Sequence, residues 1–223
     1  MPILQGPLRG LRWIAGAGNH GCWLGSYEYD KQNAFWDAIQ DGDVVYDLGA
    51  NAGFYTLLGS RKAGVRGRVY SFEPLPLNLE YLRAHLAINQ ITNCQILDVA
   101  VSHEAGLSKF DKSENASMGH LSRGSGEAYL LVKTVTLDQL VGNGEIPPPS
   151  IIKCDVEGAE YDVLIGSQVT VRTHMPKMFL ATHNPDVHAR CCQFLLNLGY
   201  QLKPLDGLPL EQSSELYAEK SKD

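Results

Sequence analysis

A short apolar strand that runs directly into a glycine turn and a helix restricts the fold of this chain more than any other feature. Residues 44–47 are apolar and end in an acid, residues 49–53 read Gly-Ala-Asn-Ala-Gly, and a helical pattern follows from Phe54. About twenty residues later, a second strand at Arg68–Phe72 runs into Glu73. This order predicts the first strand–helix–strand unit of an α/β sheet that binds a nucleoside. Glycines let the backbone approach a ligand, and the helix start offers free N–H groups.

The residues of the turn indicate which nucleoside fits. A dinucleotide fold carries G-x-G-x-x-G, whose second glycine makes room for a pyrophosphate. Here the pattern is Gly49-x-Asn51-x-Gly53. Asp47 precedes it, and a carboxylate there would repel a pyrophosphate but suits a ligand with an ammonium and a sulfonium. Glu73 can accept hydrogen bonds from both ribose hydroxyls. We therefore expect S-adenosylmethionine as the cofactor; the alternative is that Asp47 only caps the helix and the glycines only form a turn.

Length and composition indicate one domain. The chain has 223 residues, which fits an α/β domain at residues 27–223 preceded by an irregular, glycine-rich N-terminal arm at residues 1–26. The net charge is −6 without a run of Lys or Arg, so nucleic acid is a poor partner. No stretch reaches the ~18 apolar residues of a transmembrane segment. The five cysteines are odd in number and include no C-x-x-C pair, which favours reduced thiols and a cytoplasmic protein.

Further along the chain, short apolar strands alternate with helical patterns. Strands are predicted at residues 94–101, 129–137, 151–154, 178–182, 200–202 and 215–218, and helices at 27–40, 54–62, 79–89 and 186–198. This alternation predicts an α/β fold with a mostly parallel sheet and helices on both faces. The polar segment 112–127 is predicted to be either a functional flap or a mobile loop.

The candidate site follows from the ends of the predicted strands, because ligands bind beyond the carboxyl ends of strands in such sheets. Polar residues that follow these strands are Asp47, Glu73, Asp98, Asp155 and His183. We expect the turn after the first strand to hold the methionine part of the cofactor and Glu73 to hold the ribose. Asp98 and Val99 would reach the adenine amine, although Asp98 could equally be a surface residue or a cap.

Three acids surround the turn after the strand at residues 151–154. They are Asp155, Glu157 and Glu160. Asp155 lies at the strand end, beside the expected position of the methyl group, so we expect it to be functional. Glu157 and Glu160 fall near a helix start, where negative charge is favourable whatever the function. For Glu160 the simpler expectation is a helix cap.

Five short motifs span the predicted domain. They read Asp-Leu-Gly-Ala-Asn-Ala-Gly-Phe-Tyr-Thr (47–56), Phe-Glu-Pro (72–74), Ala-Val-Ser (100–102), Thr-Leu-Asp-Gln-Leu (136–140) and Lys-Cys-Asp-Val-Glu-Gly-Ala-Glu (153–160). In this order they resemble the FkbM family of class I methyltransferases, and the similarity runs from about Gly25 to Leu202. The resemblance implies a Rossmann-like, seven-stranded sheet and S-adenosylmethionine-dependent methylation of a hydroxyl on a sugar, polyketide or similar metabolite.

The motifs and the strand-end rule together define the expected cofactor site. Its predicted residues are Asp47, Gly49, Asn51, Gly53, Glu73, Pro74, Asp98, Val99 and Asp155. One departure concerns the end of the strand at residues 178–182. Members of the family often carry an acid with a histidine there, whereas this chain has Thr182 before His183. That difference puts a shared acid–base pair in doubt.

The predicted reaction needs a base, because the proton of an alcohol must leave as the methyl group is transferred. His183 is the expected base, with Asp155 orienting it or the hydroxyl and Glu157 beside them, since the pKa of histidine lies near neutral pH. The alternative for His183 is a helix-start residue bonded to backbone. No metal is expected: Asp155, Glu157 and His183 could instead hold a divalent ion, but nothing in their spacing demands one.

The expected acceptor is a small molecule or a glycan. Two other functions stay open on the sequence. One is an oxidoreductase with a nucleoside cofactor, which the missing phosphate-loop glycine and Asp47 disfavour. The other is a methyltransferase-like domain that binds the cofactor or a partner without chemistry.

Overall fold

Strands and helices alternate along most of this protein, whose structure is a computed structural model describing residues 1–112, 119–121 and 129–221. The strands are β1 Val44–Leu48, β2 Arg68–Phe72, β3 Cys94–Leu97, β4 Ala100–Val101, β5 Gly106–Lys112, β6 Gly119–Leu121, β7 Tyr129–Val135, β8 Ile151–Cys154, β9 Lys177–Ala181, β10 Tyr200–Pro204 and β11 Glu215–Lys220. The helices are α1 His20–Leu24, α2 Tyr29–Ala38, α3 Phe54–Ala63, α4 Pro76–Ile88, α5 Leu137–Gly142, α6 Glu160–Ile165, α7 Gln168–His174 and α8 Pro185–Asn197. In the part of the chain described, no helix is long and apolar enough to cross a membrane.

The main sheet has seven strands in the order β10-β11-β9-β8-β1-β2-β3. Strand β11 runs antiparallel to both of its neighbours, and the other neighbouring strands are parallel. The central strands β1, β2, β8 and β9 are buried almost throughout, which accounts for their nearly continuous apolar sequences. The predicted seven-stranded, mostly parallel sheet is confirmed.

Successive residues of the central strands enter separate cores on the two faces of the sheet. Val45 belongs to a cluster with Phe35 of α2 and Leu58 of α3. Tyr46 belongs to a second cluster with Leu164 of α6 and Leu195 of α8. Each of these side chains is fully buried, which stabilises the fold by about 1.5–3 kcal/mol for a large apolar residue. The two layers fix which way each strand residue points, and this decides which of them reach the site.

The N-terminal arm is packed into the first of these cores. Ile3, Leu8 and Trp13 are at most 2% exposed and share the cluster of α2 and α3. The expectation of an irregular arm is wrong for residues 20–24, which form α1. This helix has only five residues and ends at Gly25, which is in the left-handed conformation. Five residues are too few to show a helical period in the sequence. The domain boundary at residue 26 stays a prediction.

The strand predicted at residues 94–101 is two strands in different sheets. Strand β3 forms one edge of the main sheet, whereas β4 pairs with β7 in a second sheet ordered β4-β7-β5-β6. The prediction of one strand fails because residues 94–101 are rich in strand-forming residues throughout, and such a run does not show with which neighbour each part pairs. Of the predicted flap at residues 112–127, only 112 and 119–121 lie within the described residues, in β5 and β6. The rest of that prediction lies outside them.

Candidate active site

A cavity of about 520 Å³ lies at the carboxyl ends of the central strands. Its wall includes the turns after β1, β2 and β8 at residues 49–52, 73–75 and 155–157, together with Trp13 and residues 16–19 of the arm. Strands β1 and β8 are neighbours in the sheet. Strands β2 and β3, which follow β1 in sequence, lie toward one edge, and β9, β10 and β11, which follow β8, lie toward the other. The cavity therefore lies at the switch point where open α/β sheets bind ligands. Its volume falls within the ~300–1,000 Å³ of small-molecule sites.

The turn after β1 brings two loops of the sheet together. Gly49 has φ +73°, and a Cβ atom there would lie 1.9 Å from the carbonyl oxygen of Asp155. Position 49 therefore requires glycine because the neighbouring loop is so close. The reason expected from the sequence was a different one, a close approach of the backbone to the ligand. Asn51 and Gly53 also have positive φ, of 49° and 98°, and both are residues that tolerate this conformation. The turn leaves the backbone N–H of Asn51 directed at the end of β2.

The Glu73 side chain is at the cavity wall although the residue is only 4% exposed. Its Oε2 accepts a hydrogen bond from the backbone N–H of Asn51 at 2.8 Å. Its Oε1 accepts from the backbone N–H of Leu75 at 2.9 Å and from the side-chain amide of Asn78 at 3.3 Å. Burial raises the pKa of Glu73, and these hydrogen bonds oppose the rise because they favour the charged form. Pro74 lines the cavity beside this carboxylate.

Asp47 lies behind the cavity wall. It is fully buried, and its Oδ2 accepts a hydrogen bond from the Thr56 hydroxyl at 2.6 Å. Its Oδ1 lies 3.4 Å from Nζ of Lys153. Asp47 does not line the described part of the cavity, so the structure gives no support to the expected contact with a ligand ammonium. The reason is strand alternation, which turns Asp47 to the same face as Val45, toward α3.

Two buried lysines hold Asp155 at the site. Lys153 donates to the carbonyl oxygen of Gly49 at 2.8 Å, and its Nζ lies 3.8 Å from Asp155. Burial acts to lower the pKa of Lys153, but the carboxylates of Asp47 and Asp155 hold it above its ordinary value. The second lysine, Lys31 of α2, lies 3.7 Å from Asp155. Burial acts to raise the pKa of Asp155, yet the two lysines keep it below the ordinary value, so Asp155 is ionised.

His183 lies among three carboxylates. Its Nδ1–H donates to Oε1 of Glu160 at 2.8 Å. Its Nε2 lies 3.5 Å from Oδ1 of Asp155 and 3.3 Å from Oε2 of Glu157. The hydrogen bond to Glu160 raises the pKa of His183 to about 9; burial opposes this rise, and attraction to the three acids adds to it. The imidazole is therefore protonated at neutral pH in the ligand-free protein, and it must lose that proton before it can act as the expected base.

Glu160, rather than Asp155, is the residue that orients His183. It is fully buried, and its Oε1 also accepts from the backbone N–H of Gly158 at 2.9 Å. Its Oε2 has no hydrogen-bond partner within the described residues. The expectation that Glu160 only caps a helix is therefore wrong. Its neighbour Glu157 has φ 55°, a strained value for a non-glycine residue and one that is common at functional sites.

Asp155, Glu157 and His183 are brought together as the sequence predicts. One ligand-type atom from each lies within 4.8 Å of the others. Asp155 and Glu157 also line the cavity, so this cluster adjoins the space where a ligand would bind. A carboxylate at the end of β2 and an acid–histidine cluster after β8 and β9 thus belong to one site.

Asp98 and Val99 are placed elsewhere. Asp98 forms an ion pair with Arg83 on the surface, where both side chains are 51% exposed. Neither Asp98 nor Val99 lines the cavity as far as it is described, whereas Ala100 and Val101 do. The chain crosses from β3 to β4 at these two residues. The residues that line the cavity are therefore two positions later in the sequence than expected. The structure therefore gives no support to the expected contact with the adenine amine.

Several residues at the site were missed by the sequence reasoning. Trp13 lines the cavity from the arm, and Lys31 reaches Asp155 from α2. In the sequence, Lys31 is a charged residue within a predicted helix, and such residues ordinarily lie on the surface. Thr182 is at the position where an acid was expected. Its Oγ1 lies 3.0 Å from Nδ1 of the buried His188, and the two atoms share a hydrogen bond. This pair is separate from the His183 cluster.

The strand order, the cavity at the switch point and the acid after β2 together define the class I methyltransferases, the class that uses S-adenosylmethionine. The sequence profile of the methyltransferase FkbM domain matches residues 47–202. The chain therefore belongs to the FkbM methyltransferase family, and the resemblance seen in its motifs is confirmed.

Individual relatives are similar over parts of the chain. The hexuronic acid methyltransferase AglP of Haloferax volcanii is 32% identical over 139 residues, which cover 62% of this chain and 56% of AglP. The 31-O-demethyl-FK506 methyltransferase FkbM of Streptomyces tacrolimicus is 33% identical over 81 residues, 36% of this chain and 30% of that protein. The crystal structure of methyltransferase FkbM from Methylobacillus flagellatus superposes with a TM-score of 0.60 at 19% identity, covering 81% of this chain and 44% of that one. The chain thus spans about half the length of AglP and of that crystallised protein, and the structural match supports the fold alone.

Proposed function

We propose that this chain transfers a methyl group from S-adenosylmethionine to a hydroxyl group on a sugar, glycan or secondary metabolite. Membership in the FkbM family supports methyl transfer. The names of two relatives support the class of acceptor, since one is a hexuronic acid methyltransferase and the other methylates an FK506 precursor. Small-molecule or glycan acceptors are therefore the first to test.

The observation that carries this proposal is that two different acidic features share one cavity. Glu73 is fixed at one part of the wall by three hydrogen bonds. Asp155 and Glu157 line the wall after β8, with His183 beside them. A site for an S-adenosylmethionine-dependent reaction needs both, because it must hold a nucleoside and also handle the proton of the acceptor.

The residues present fit this cofactor. Glu73 lines a cavity of about 520 Å³, and Oε2, which accepts one of the three hydrogen bonds described, can also accept one from a ribose hydroxyl. Among the described residues, the other anionic groups at the wall are Asp155 and Glu157, and they suit the positive charges of the methionine part. S-adenosylmethionine, when bound, supplies a methyl group already activated by its sulfonium.

The remaining chemistry falls to residues of this chain. Glu73 and the turn at residues 49–52 hold the nucleoside in place. Asp155 and Glu157 would orient the acceptor hydroxyl, which shortens the approach of its oxygen; such orientation can supply ~7–11 kcal/mol of a barrier. As the methyl group is transferred, Nε2 of His183 accepts the proton of the acceptor hydroxyl in molecules whose ring is neutral, a step that contributes about 10²–10⁴ in rate when well positioned.

The direct test is release of S-adenosylhomocysteine from the purified chain with a panel of acceptors. Uronic acids, neutral sugars and macrolide alcohols form its three groups. We expect turnover with at least one group and none with acceptors whose hydroxyls are already methylated. Cofactor binding without turnover on any member of the panel would instead favour the non-catalytic domain. A thermal shift with NAD but not with S-adenosylmethionine would favour the oxidoreductase and overturn the proposal.

A further inference from the structure

His183 presents one ring nitrogen to two carboxylates across distances too long for a good hydrogen bond. Its Nδ1–H is donated to Glu160, so Nε2 faces Asp155 at 3.5 Å and Glu157 at 3.3 Å. A charge-assisted N–H···O bond is ~2.7–2.9 Å long. Two ligands at right angles around an ion, with bonds of about 2.1–2.5 Å, stand ~3.0–3.5 Å apart. Nε2 therefore stands from each carboxylate oxygen as one ligand of a cation stands from the next, and one ligand atom from each of the three residues lies within 4.8 Å of the others.

The group behind His183 is the kind that orients a metal-bound histidine. A histidine ligand usually donates its other ring N–H to a carboxylate, which fixes the tautomer and the ring orientation. Glu160 accepts that N–H at 2.8 Å from a fully buried position, with a second bond from the backbone of Gly158. Once an incoming ion displaces the Nε2 proton, the electron pair of Nε2 is aimed between Asp155 and Glu157.

The ion-pair network around this point carries an excess of negative charge. Its two ammonium groups belong to Lys31 and Lys153. Its six carboxylates belong to Glu28, Asp47, Asp155, Glu157, Glu160 and Glu215. Among the described residues, with both lysines and the His183 imidazolium charged, acids outnumber cations by three. A divalent ion would offset part of this excess at the end of the network that adjoins the cavity.

We propose that Asp155, Glu157 and His183 bind a divalent cation, with Glu160 as the positioning residue. Two carboxylates and one imidazole favour Mn²⁺ or Zn²⁺ over Ca²⁺, since imidazole is a poor ligand for calcium. Asp155 and Glu157 line the cavity, so the ion would stand where it can bind an oxygen of the acceptor. This departs from the expectation of no metal, and it rests on the proposed function only in naming the acceptor hydroxyl. While the ion is bound, Nε2 is a ligand and not the base; the ion would then act in place of His183 by making the bound hydroxyl more acidic, so that its proton can leave to water.

The experiment measures Mn²⁺ binding by electron paramagnetic resonance, in which the signal of free aqueous Mn²⁺ falls as the ion is bound. The full chain is first stripped with EDTA and desalted. We expect one strongly bound Mn²⁺ per chain, displaced by Zn²⁺. His183→Ala and Glu157→Gln should each weaken binding at least ~10-fold through loss of a ligand, and Glu160→Gln about 10-fold through loss of positioning.

A matched control is available at His103. This histidine also lies between two acids, Glu104 at 3.8 Å and Asp162 at 3.7 Å, but its side chain is 45% exposed. His103→Ala should leave Mn²⁺ affinity unchanged. In the wild-type chain, bound Mn²⁺ should broaden the imidazole proton signals of His183 much more than those of His103, a readout that depends on no variant folding.

Three results would overturn the cation site. The first is a wild-type chain that leaves the aqueous Mn²⁺ signal undiminished at one equivalent. The second is equal broadening of the two histidines, and the third is equal Mn²⁺ affinity in the wild type and His183→Ala. Calorimetry of the EDTA-treated chain with S-adenosylmethionine separates this failure from that of the proposed function. If S-adenosylmethionine binds with measurable heat while Mn²⁺ does not bind, the cation site alone is excluded and the proposed function is unaffected.

Discussion

The Glu73 carboxylate has both oxygens bonded to the protein and still faces the cavity. In Glu73→Gln, one end of the side chain becomes an N–H₂ group that faces backbone N–H donors, and the charge is lost. A hydrogen bond to a charged group contributes about 1.5–3 kcal/mol. We predict that the Kd for S-adenosylmethionine rises about 10–100-fold, measured by calorimetry.

The matched control for this prediction is Glu80→Gln. Glu80 lies on the same helix that follows Glu73, but it is exposed. Its variant should bind the cofactor as the wild type does. An unchanged Kd in Glu73→Gln, in a chain with wild-type thermal stability, would remove Glu73 from the cofactor site.

The Asp47 carboxylate belongs to a buried ion pair with Lys153. Asp47→Asn leaves Lys153 buried with one charge partner fewer, and breaking such a pair costs about 3–5 kcal/mol. We predict a loss near 3 kcal/mol in the free energy of unfolding, the lower end, because Lys153 keeps Asp155 and the carbonyl of Gly49. Urea denaturation measures it.

The double variant Asp47→Asn, Lys153→Met distinguishes an ion pair from a general packing defect. Removing both charges leaves no uncompensated ion, so the double variant should be more stable than the sum of the single losses predicts. Strictly additive losses would show that Asp47 and Lys153 do not stabilise each other.

Replacing His183 should slow the methyl transfer step without weakening cofactor binding. It adjoins Asp155 and Glu157 but does not itself line the described part of the cavity wall. We predict that His183→Ala lowers the rate of methyl transfer about 10²–10⁴-fold and leaves the Kd for S-adenosylmethionine within a factor of about two. Single-turnover rates and calorimetry measure the two quantities. Full activity in this variant would exclude His183 from the mechanism.

Among the elements, the N-terminal arm depends on one buried histidine of α4. The backbone N–H of Ile14 donates to Nε2 of His85 at 2.9 Å, and Nδ1 of His85 lies 2.7 Å from the carbonyl oxygen of Ala52. The ring also stacks on Trp13 with centroids 4.0 Å apart. Nε2 can accept only while the ring is neutral, so the arm is docked by the neutral form. Trp13 and Ala52 both line the cavity, so this contact shapes the site.

The docking of the arm should therefore weaken in acid. Burial lowers the pKa of His85 below its ordinary value, and the ammonium group of Met1 acts in the same direction. The unfolded chain then binds the extra proton first as pH falls. The stability that comes from the neutral ring is fully present above the unfolded pKa of about 6.5 and is lost as pH falls through the lower, folded pKa. We predict a decrease in Tm between pH 7.5 and 5.5.

The variant His85→Gln tests this pH dependence, since it cannot titrate. Its Tm should fall less over the same pH range than that of the wild type. His174→Gln removes an exposed histidine at the end of α7 and should keep the wild-type slope. Equal slopes in His85→Gln and the wild type would contradict a role for this ring.

Sequence patterns predict the elements that are buried on both faces and fail where the chain changes layer. Strands β1, β2 and β8 were identified closely because a helix layer on each side makes them continuously apolar. The break between β3 and β4 was not predicted, since both strands are made of strand-forming residues and their sequences do not show that they pair in different sheets. Asp47 shows the same limit at one residue: the sequence places it at a strand end, but only the packed layers decide that it faces α3 rather than the cavity.

On the scale of the whole molecule, the site is joined by contacts between distant parts of the chain. Lys31 of α2 bonds Glu215 of β11, 184 positions away, and also approaches Asp155 after β8. Such pairs have no local signal, which is why Lys31 and Glu215 were absent from the predicted site. Of the strand-end residues that the sequence proposed, Glu73 and Asp155 line the cavity and His183 adjoins it, whereas Asp47 and Asp98 do not line its described part.

Calorimetric titration of the intact chain with S-adenosylmethionine, and then with S-adenosylhomocysteine, tests most directly whether the cavity at the switch point is a nucleoside site. We expect one binding site per chain for each compound, and loss of most of the affinity in Glu73→Gln. A chain that is folded by circular dichroism yet shows no heat with either compound would contradict the assignment.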